Sequence, residues 1–320
     1  MKKIFLIIST ILAFIASFII IKRIKKPTKT AAYTLGILQT ASHPALDAAR
    51  DGFIEELKNK MGDTIEFVIH NAQGSVAQAH AIAQQFRANK QFNGFFAIAT
   101  PAAQAMSALE KEKPIFISAV TDPNALGLIH PTTNVCGIKD MINVKAEIEM
   151  MKHLIPHAKT VGLIYTSGET NSVAMIQQMH AELEAQGLTP VNFAIGNECD
   201  MQAIVELACR KTDVILAPTD NTVASTISLI TAITLKNKKP LIVSDNMLVK
   251  FGALAARGVD YKASGQLAAH IAYEVLVKGK KPYELPIKQA HSEQIVINQT
   301  TLSELGLTIP EALKNHVILI

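Results

Sequence analysis

The sequence predicts an α/β protein of two similar lobes with parallel sheets, preceded by an N-terminal transmembrane helix. Three observations predict it. From Ala32 onward, short apolar runs alternate with longer segments of helical period, the pattern of parallel sheets covered by helices on both faces. The alternation occurs as two series, joined by the Pro- and Gly-punctuated stretch 123–143 (Pro123, Pro131, Asn134, Gly137). The apolar runs also stop abruptly at short polar residues, as in Val214-Ile215-Leu216-Ala217 before Pro218-Thr219-Asp220-Asn221-Thr222. Open α/β sheets bind ligands at that carboxyl edge.

In chain order the first series reads as strand Thr34–Leu38, helix His43–Lys60, strand Ile65–His70, helix Ser75–Asn89, strand Phe95–Ala99, helix Ala102–Lys111 and strand Ile115–Val120. Ala48, Phe53, Ile54 and Leu57 give the first helix one apolar face. Phe95 and Phe96 fall within a strand and are expected in the core. The second series reads as helix Val144–Leu154, strand Val161–Tyr165, helix Ser172–Gln186, strand Pro190–Ala194, helix Met201–Ala208 and strand Val214–Ala217. Helix Val223–Lys236 and strands Pro240–Ser244 and Ala253–Val259 follow. The tail (helix Ser264–Lys278, strand Ile295–Asn298, short helical pieces Thr301–Leu305 and Pro310–Asn315) is too small for a third domain and reads as the chain crossing back to complete both lobes. The expected division is 1–30 for a signal anchor and basic linker, 31–142 with 262–288 for the N-terminal lobe, and 143–261 with 289–320 for the C-terminal lobe.

The 320 residues are 49% hydrophobic and 18% charged, a globular composition. The net charge of +4 belongs to the leader: seven cations and no acid precede residue 31, leaving a body of net −3. A mildly acidic body gives no electrostatic footprint for nucleic acid. Ile4–Ile21 is an uncharged apolar run of 18 residues between Lys2-Lys3 and Lys22-Arg23-Ile24-Lys25-Lys26. At helical rise it covers about 27 Å, near the thickness of a hydrocarbon core. It reads as an uncleaved signal anchor, with a cleaved secretory signal as the alternative. Basic residues flank both ends, so charge alone does not orient it. Cys136, Cys199 and Cys209 lack paired spacing, which indicates neither a disulfide framework nor a zinc site, and Cys209 falls in the apolar pattern of a helix.

Catalytic signatures are missing. Neither phosphate-cradling glycine motif occurs, the ten His are scattered, and G-x-S-x-G is absent although Ser167 stands just after a strand. No metal and no cofactor are expected. What the strand ends offer is recognition chemistry. Gly168-Glu169-Thr170-Asn171-Ser172 reads as a helix start whose N–H groups suit an anion such as a carboxylate, or as an N-cap only. Asp220 and Asp245 each follow a strand; one such Asp is commonly a cap, but two, each beside an Asn (Asn221, Asn246), favour recognition of an amino group. His43 before Pro44 fits either a helix cap or the cleft wall.

Several ordered blocks then carry a family resemblance: His43-Pro44-Ala45-Leu46-Asp47, Asn71-Ala72-Gln73-Gly74, Ala97 through Gln104, Ser118 through Pro123, Tyr165-Thr166-Ser167-Gly168-Glu169 with Asn171-Ser172, Pro218 through Thr222, and Ser244-Asp245. From about Thr34 to Leu313 the chain resembles ABC-transporter substrate-binding proteins of the tryptophan/tyrosine type, which share a type I periplasmic-binding-protein fold. The resemblance implies a non-enzymatic protein holding a small ligand, an aromatic amino acid, in the cleft between two Rossmann-like lobes linked by three crossovers, and delivering it to a membrane permease. It implies a carboxylate site at Asn171, Ser172 and Thr100, an ammonium site at Asp245 or Asp220, and cleft positions for Gln39, His43, Asp122 and Asn221; Ser167, at its strand end, is the tenth expected ligand-binding residue. Many relatives carry a lipobox Cys; no Cys precedes Cys136 in this sequence. The expected location is the cell membrane, with the body extracytoplasmic (periplasmic). A membrane-anchored domain that senses the same ligand and signals to a partner is the alternative.

Overall fold

The computed structural model describes residues 31–290 and 294–320. The expected signal anchor lies outside the described residues; among them no helix is long and apolar enough to cross a membrane.

The N-terminal lobe contains β1 (Tyr33–Gln39), α1 (Pro44–Met61), β2 (Ile65–Asn71), α2 (Val76–Ala88), β3 (Gly94–Ile98), α3 (Thr100–Leu109), β4 (Ile115–Val120) and β5 (Val135–Lys139). The C-terminal lobe contains α4 (Val144–Leu154), β6 (Thr160–Thr166), α5 (Thr170–Ala185), β7 (Thr189–Ile195), α6 (Met201–Lys211), β8 (Val214–Ala217), α7 (Asn221–Ser225), α8 (Ile227–Lys236), β9 (Leu241–Val243) and β10 (Ala255–Ala256). The chain returns to the first lobe for α9 (Tyr261–Leu276) and β11 (Lys288–Gln289), then to the second for β12 (Ile295–Ile297), α10 (Gln299–Glu304) and β13 (Val317–Leu319). The sheets run β11-β5-β4-β3-β1-β2, parallel throughout, and β13-β12-β10-β9-β8-β6-β7, parallel except where β12 meets β10.

In the middle of each sheet both faces are covered, so β3, β4, β8 and β9 are buried at every position, whereas β2 and β7 at the edges are partly exposed. Alternate side chains point to opposite faces. Leu35, Ile37, Phe96 and Ile98 pack under α1 and α9, whereas Leu38, Phe95 and Ala97 pack under α2 and α3. Phe95 and Phe96 are fully buried, and Phe96 stacks on Phe53 of α1 with ring centroids 3.8 Å apart. In the second lobe α4 and α5 cover one face, and α6 with α7 and α8 the other.

Three expected elements differ. The stretch 123–143 is not only a joint: Val135–Lys139 is a buried strand of the first sheet. Its five residues, centred on Gly137 and preceded by turn residues, carry too little pattern to separate them from a linker. The expected helix Val223–Lys236 breaks at Thr226, whose hydroxyl donates to the Thr222 carbonyl, a back-bond that competes with helix continuation. The expected strand Ala253–Val259 pairs only at Ala255–Ala256.

The chain crosses between lobes after β5, after β10 and after β11. The returning helix α9 lies so close to α1 that glycine is needed on each. A Cβ at Gly52 would stand 2.3 Å from the Lys262 carbonyl oxygen, and one at Gly265 would stand 2.0 Å from that of Ala49. Gly265→Ala is therefore expected to force the helices apart and destabilise the protein by about 1–3 kcal/mol. Urea unfolding measures this, and an unchanged midpoint would show that the contact yields without cost.

Candidate functional site

The carboxyl ends of the two sheets face each other across a cleft. Two adjoining cavities occupy it. One is lined by His43, Ala99, Thr121, Asp140, Asn171, Thr219, Asp220, Asn221, Asp245 and Tyr261, with Leu46, Ala224 and Leu248 as apolar wall. The other is lined by Thr100, Thr121, Asp122, Ala125, Leu126, Thr170, Asn171 and Ala174. Residues of both lobes meet in each. Across the first, His43 Nε2 lies 3.3 Å from Asn221 Oδ1. Burial holds the His43 pKa below the ordinary imidazole value, against the opposing effect of the Asn221 contact, so the ring is neutral at pH 7.

Buried polar atoms are nearly always hydrogen-bonded. Among the described residues six buried side-chain atoms have no partner: His43 Nδ1, Thr100 Oγ1, Asp140 Oδ1, Asn171 Oδ1, Thr219 Oγ1 and Glu147 Oε1. The first five belong to residues that line the cleft. Such atoms cost stability unless something fills the cavity and pairs with them. The cleft is therefore shaped for a polar ligand.

Backbone geometry sets the N-lobe wall. Ala99 and Ala119 adopt positive φ (74° and 58°), a region that L-residues rarely visit, at the ends of β3 and β4. The register slips between Ile117 and Val120 against β5, and this bulge turns the chain so that Thr121 faces the cavity. Strain of this kind concentrates where a site is held in a required shape.

The C-lobe wall is held by two carboxylates. Asp220 accepts from the Thr166 N–H at 2.6 Å, the Thr166 hydroxyl at 2.9 Å and the Val223 N–H at 2.9 Å. Glu169 accepts from the N–H groups of Asn221 and Thr222, the Asn221 amide at 2.6 Å and the Thr222 hydroxyl. Burial first, and then the neighbouring charge of Asp220, push Glu169 up to about 7. These bonds cap α7 and tie it to the end of β6. The start of α5 presents Thr170 and Asn171 to the second cavity, opposite Thr100 at the start of α3. Two helix N-termini from different lobes thus converge there, an arrangement that favours an anion.

Seven of the ten site residues expected from the sequence line the cleft: His43, Thr100, Asp122, Asn171, Asp220, Asn221 and Asp245. Gln39, Ser167 and Ser172 do not. Gln39 is buried beneath the α1 start, where it donates to the Ala41 carbonyl and Asp47 and accepts from Arg50. The Ser167 hydroxyl donates to the Ile195 carbonyl, and that of Ser172 to Thr219. His43 is both the residue before α1 and part of the wall; its side chain makes no capping bond. Of the two Asp proposed for an ammonium, Asp220 is occupied by its three donors, whereas Asp245 bonds Met247 N–H through Oδ1 and faces the cavity. Asp122 Oδ1 caps its own turn. Thr121, Asp140, Glu169, Thr219 and Tyr261 are contributors that sequence reasoning missed. Asp140 carries the signal used elsewhere, an Asp just past a strand, but the strand itself was illegible. Among the described residues no three His, Cys, Asp or Glu side chains are grouped to hold a metal.

Glu169→Ala removes four hydrogen bonds at a buried helix start. Its expected effect is a loss of about 1–3 kcal/mol of unfolding free energy, read from denaturant melts. A parental midpoint would mean that water replaces the carboxylate there.

Comparison with known proteins assigns the family. Residues 34–317 match the family model described as ABC transporter substrate binding protein. The Tyrosine-binding protein of Clostridioides difficile (strain R20291) is 34% identical over 290 residues, which are 88% of this chain and 84% of that protein. A crystal structure of an ABC domain in complex with L-Trp from Streptococcus pneumoniae is 32% identical, covers 89% of this chain and 99% of its own, and superposes with a TM-score of 0.85. The ligand-free, open structure of a substrate-binding protein with adhesive properties from Clostridium difficile has the same identity, covers 90% of this chain and 99% of its own, and gives 0.68. The two-lobed fold with parallel sheets is of the type I periplasmic-binding class, and the chain belongs to the ABC transporter substrate-binding protein family.

Proposed function

We propose that this chain binds an aromatic amino acid (tryptophan, tyrosine or phenylalanine) between its lobes as the extracytoplasmic component of an ABC importer, tethered to the cell membrane by its N-terminal apolar run and handing its ligand to a membrane permease. The observation that carries the ligand reading is the convergence of five unpartnered buried polar atoms on one cleft. The cleft also separates two kinds of chemistry: helix starts near Thr100 and Asn171 suit a carboxylate, and the carboxyls of Asp140 and Asp245 suit an ammonium. The names of the related proteins, one with tyrosine and one with bound L-Trp, support an aromatic side chain. Leu46, Ala224 and Leu248, with Ala125, Leu126 and Ala174, supply apolar wall for it. The role is binding rather than turnover, because the Ser167 hydroxyl is directed at a carbonyl and not at a base.

At equal identity, the chain superposes better on the L-Trp complex than on the open, ligand-free structure. Together with the His43–Asn221 contact, this supports a closed arrangement as the ligand-holding state. A ligand touching both lobes favours that state and shifts the hinge. Titration calorimetry on the purified full chain should give micromolar or tighter binding of tryptophan, tyrosine or phenylalanine. Alanine should bind more weakly by about 1.5–3 kcal/mol, the value of burying the larger side chain. Small-angle scattering should show compaction on saturation. Binding of a sugar and of no aromatic amino acid would sink the proposal.

A further inference from the structure

One buried contact joins the lobes across the cleft, and its polarity is fixed from the C-lobe side. Asn221, the first residue of α7, has its amide nitrogen 2.6 Å from Glu169 Oε2. That oxygen also accepts the Asn221 backbone N–H, and Oε1 accepts from the N–H and the hydroxyl of Thr222. An acceptor of this kind is met by the nitrogen of the Asn221 amide, so the amide oxygen faces the other lobe. There His43 Nε2 stands 3.3 Å from it. A carbonyl oxygen can only accept, so Nε2 carries the imidazole proton. Burial keeps the ring neutral, which makes Nδ1 a bare acceptor. That atom is buried and has no partner among the described residues.

The neighbours of this acceptor select the group it can meet. Leu46 lies in the first turn of α1, just after His43, and Ala224 lies three residues after Asn221 on α7; both line the same cavity, with Leu248. A ligand carboxylate offers no donor to Nδ1. A ligand ammonium has charged partners in this cavity, the carboxyls of Asp140 and Asp245, and these outcompete a neutral nitrogen. What suits Nδ1 is a donor carried on an otherwise apolar group, as in the N–H of an indole or the O–H of a phenol. We propose that His43 is a specificity-determining residue whose Nδ1 accepts a hydrogen bond from a ring N–H or O–H of the ligand, with Asn221, itself oriented by Glu169, as the positioning residue that holds the required tautomer. This rests on the aromatic amino-acid reading of the cleft and narrows it to side chains that carry a donor, with phenylalanine disfavoured.

The choice of residue matters to this role. A serine at position 43 could turn its hydroxyl to donate or accept, and an asparagine could flip. An imidazole whose Nε2 is committed to Asn221 can only accept at Nδ1. Discrimination then comes from what the wrong ligand leaves unpaired. Tyrosine and phenylalanine fill nearly the same volume, but phenylalanine shuts water away from Nδ1 and supplies no donor in its place. A site built to hydrogen-bond a ligand group rejects the analogue lacking it far more strongly than an apolar pocket rejects a missing methylene.

The test is titration calorimetry on the full chain with two ligand pairs that differ in the donor. One is L-tyrosine against L-phenylalanine; the other is L-tryptophan against benzothienyl-L-alanine, in which sulfur replaces the indole N–H. The donor-bearing member of each pair should bind about 5- to 150-fold more tightly. His43→Leu should weaken every ligand through the lost contact with Asn221 and abolish the preference within each pair. Nitrogen-15 spectra of the parent, which need no variant, should place the His43 proton on Nε2 in the empty protein. Nδ1 should then shift on binding L-tyrosine or L-tryptophan and stay put with L-phenylalanine. Asn221→Ala should let the two His43 tautomers mix in the same spectra, a change that a merely structural role would not produce. Equal affinities within both pairs, a proton on Nδ1, an undiminished preference in folded His43→Leu or an unchanged tautomer in folded Asn221→Ala would each overturn the assignment while the aromatic amino-acid reading stands. Should no aromatic amino acid bind, that reading falls and this one with it.

Discussion

The cleft depends on one buried arrangement, in which Glu169 and Asp220 clasp the start of α7 against the end of β6. Seven donors converge on these two side chains, four of them backbone N–H groups. The loops after β6 and β8 would otherwise be short polar connections with several orphan N–H groups at a buried edge. Clasped, they hold Asn171 and Asn221 as fixed parts of the wall. The Asn171 amide donates to the Thr219 carbonyl and so leaves its own oxygen directed at nothing. Asn221 donates to Glu169 and turns its oxygen toward His43. The wall is thus organised before a ligand arrives, which lowers the ordering cost of binding.

A rigid wall with unpaired polar atoms has consequences for motion. In an open cleft, water satisfies His43, Thr100, Asp140, Asn171 and Thr219. In an empty closed cleft these groups are desolvated without partners, at a cost of about 1–3 kcal/mol each. Closing without ligand is opposed by that sum, and closing on a ligand that pairs them is not. If the lobes close as proposed, the free-energy difference that favours closing on a ligand resides in the wall and does not require a special spring in the crossings. The crossings need only to be compliant, and the first two are short: α4 begins at Val144 after β5 ends at Lys139, and α9 begins at Tyr261 after β10 ends at Ala256.

Much of this architecture was legible in the sequence, because burial leaves a periodic trace. Ile115–Val120, Val144–Leu154 and Val214–Ala217 have the bounds that their apolar patterns imply. Strands without that trace were not legible. Val135–Lys139 resembles the loop around it, and Lys288–Gln289 is a two-residue edge strand that carries no pattern at all. The site divides the same way. Strand-end polarity marked Asp245, Asn171 and Asn221, but it could not say that Asp220 accepts three hydrogen bonds, since its partner Thr166 lies 54 residues away. Glu169 was invisible as a determinant for the same reason: its four donors belong to residues 52 and 53 positions later. Asp140 was lost with its strand, and Tyr261 because the helix it opens was expected to start three residues later.

Two residues that stand where reactive groups could stand, His43 and Ser167, are directed at an amide oxygen and a backbone carbonyl. His43 is neutral and meets an amide, so no carboxylate orients it as a base. Ser167 stands where a nucleophile would stand, with its hydroxyl turned to the Ile195 carbonyl. The carboxyls sit at the floor beside the hinge, where Tyr261 holds one of them and a backbone N–H holds the other. What remains exposed to a ligand is a set of fixed donors and acceptors, anion-seeking at the helix starts and cation-seeking at the floor. A molecule with both charges a few ångströms apart satisfies that set without any bond being made or broken.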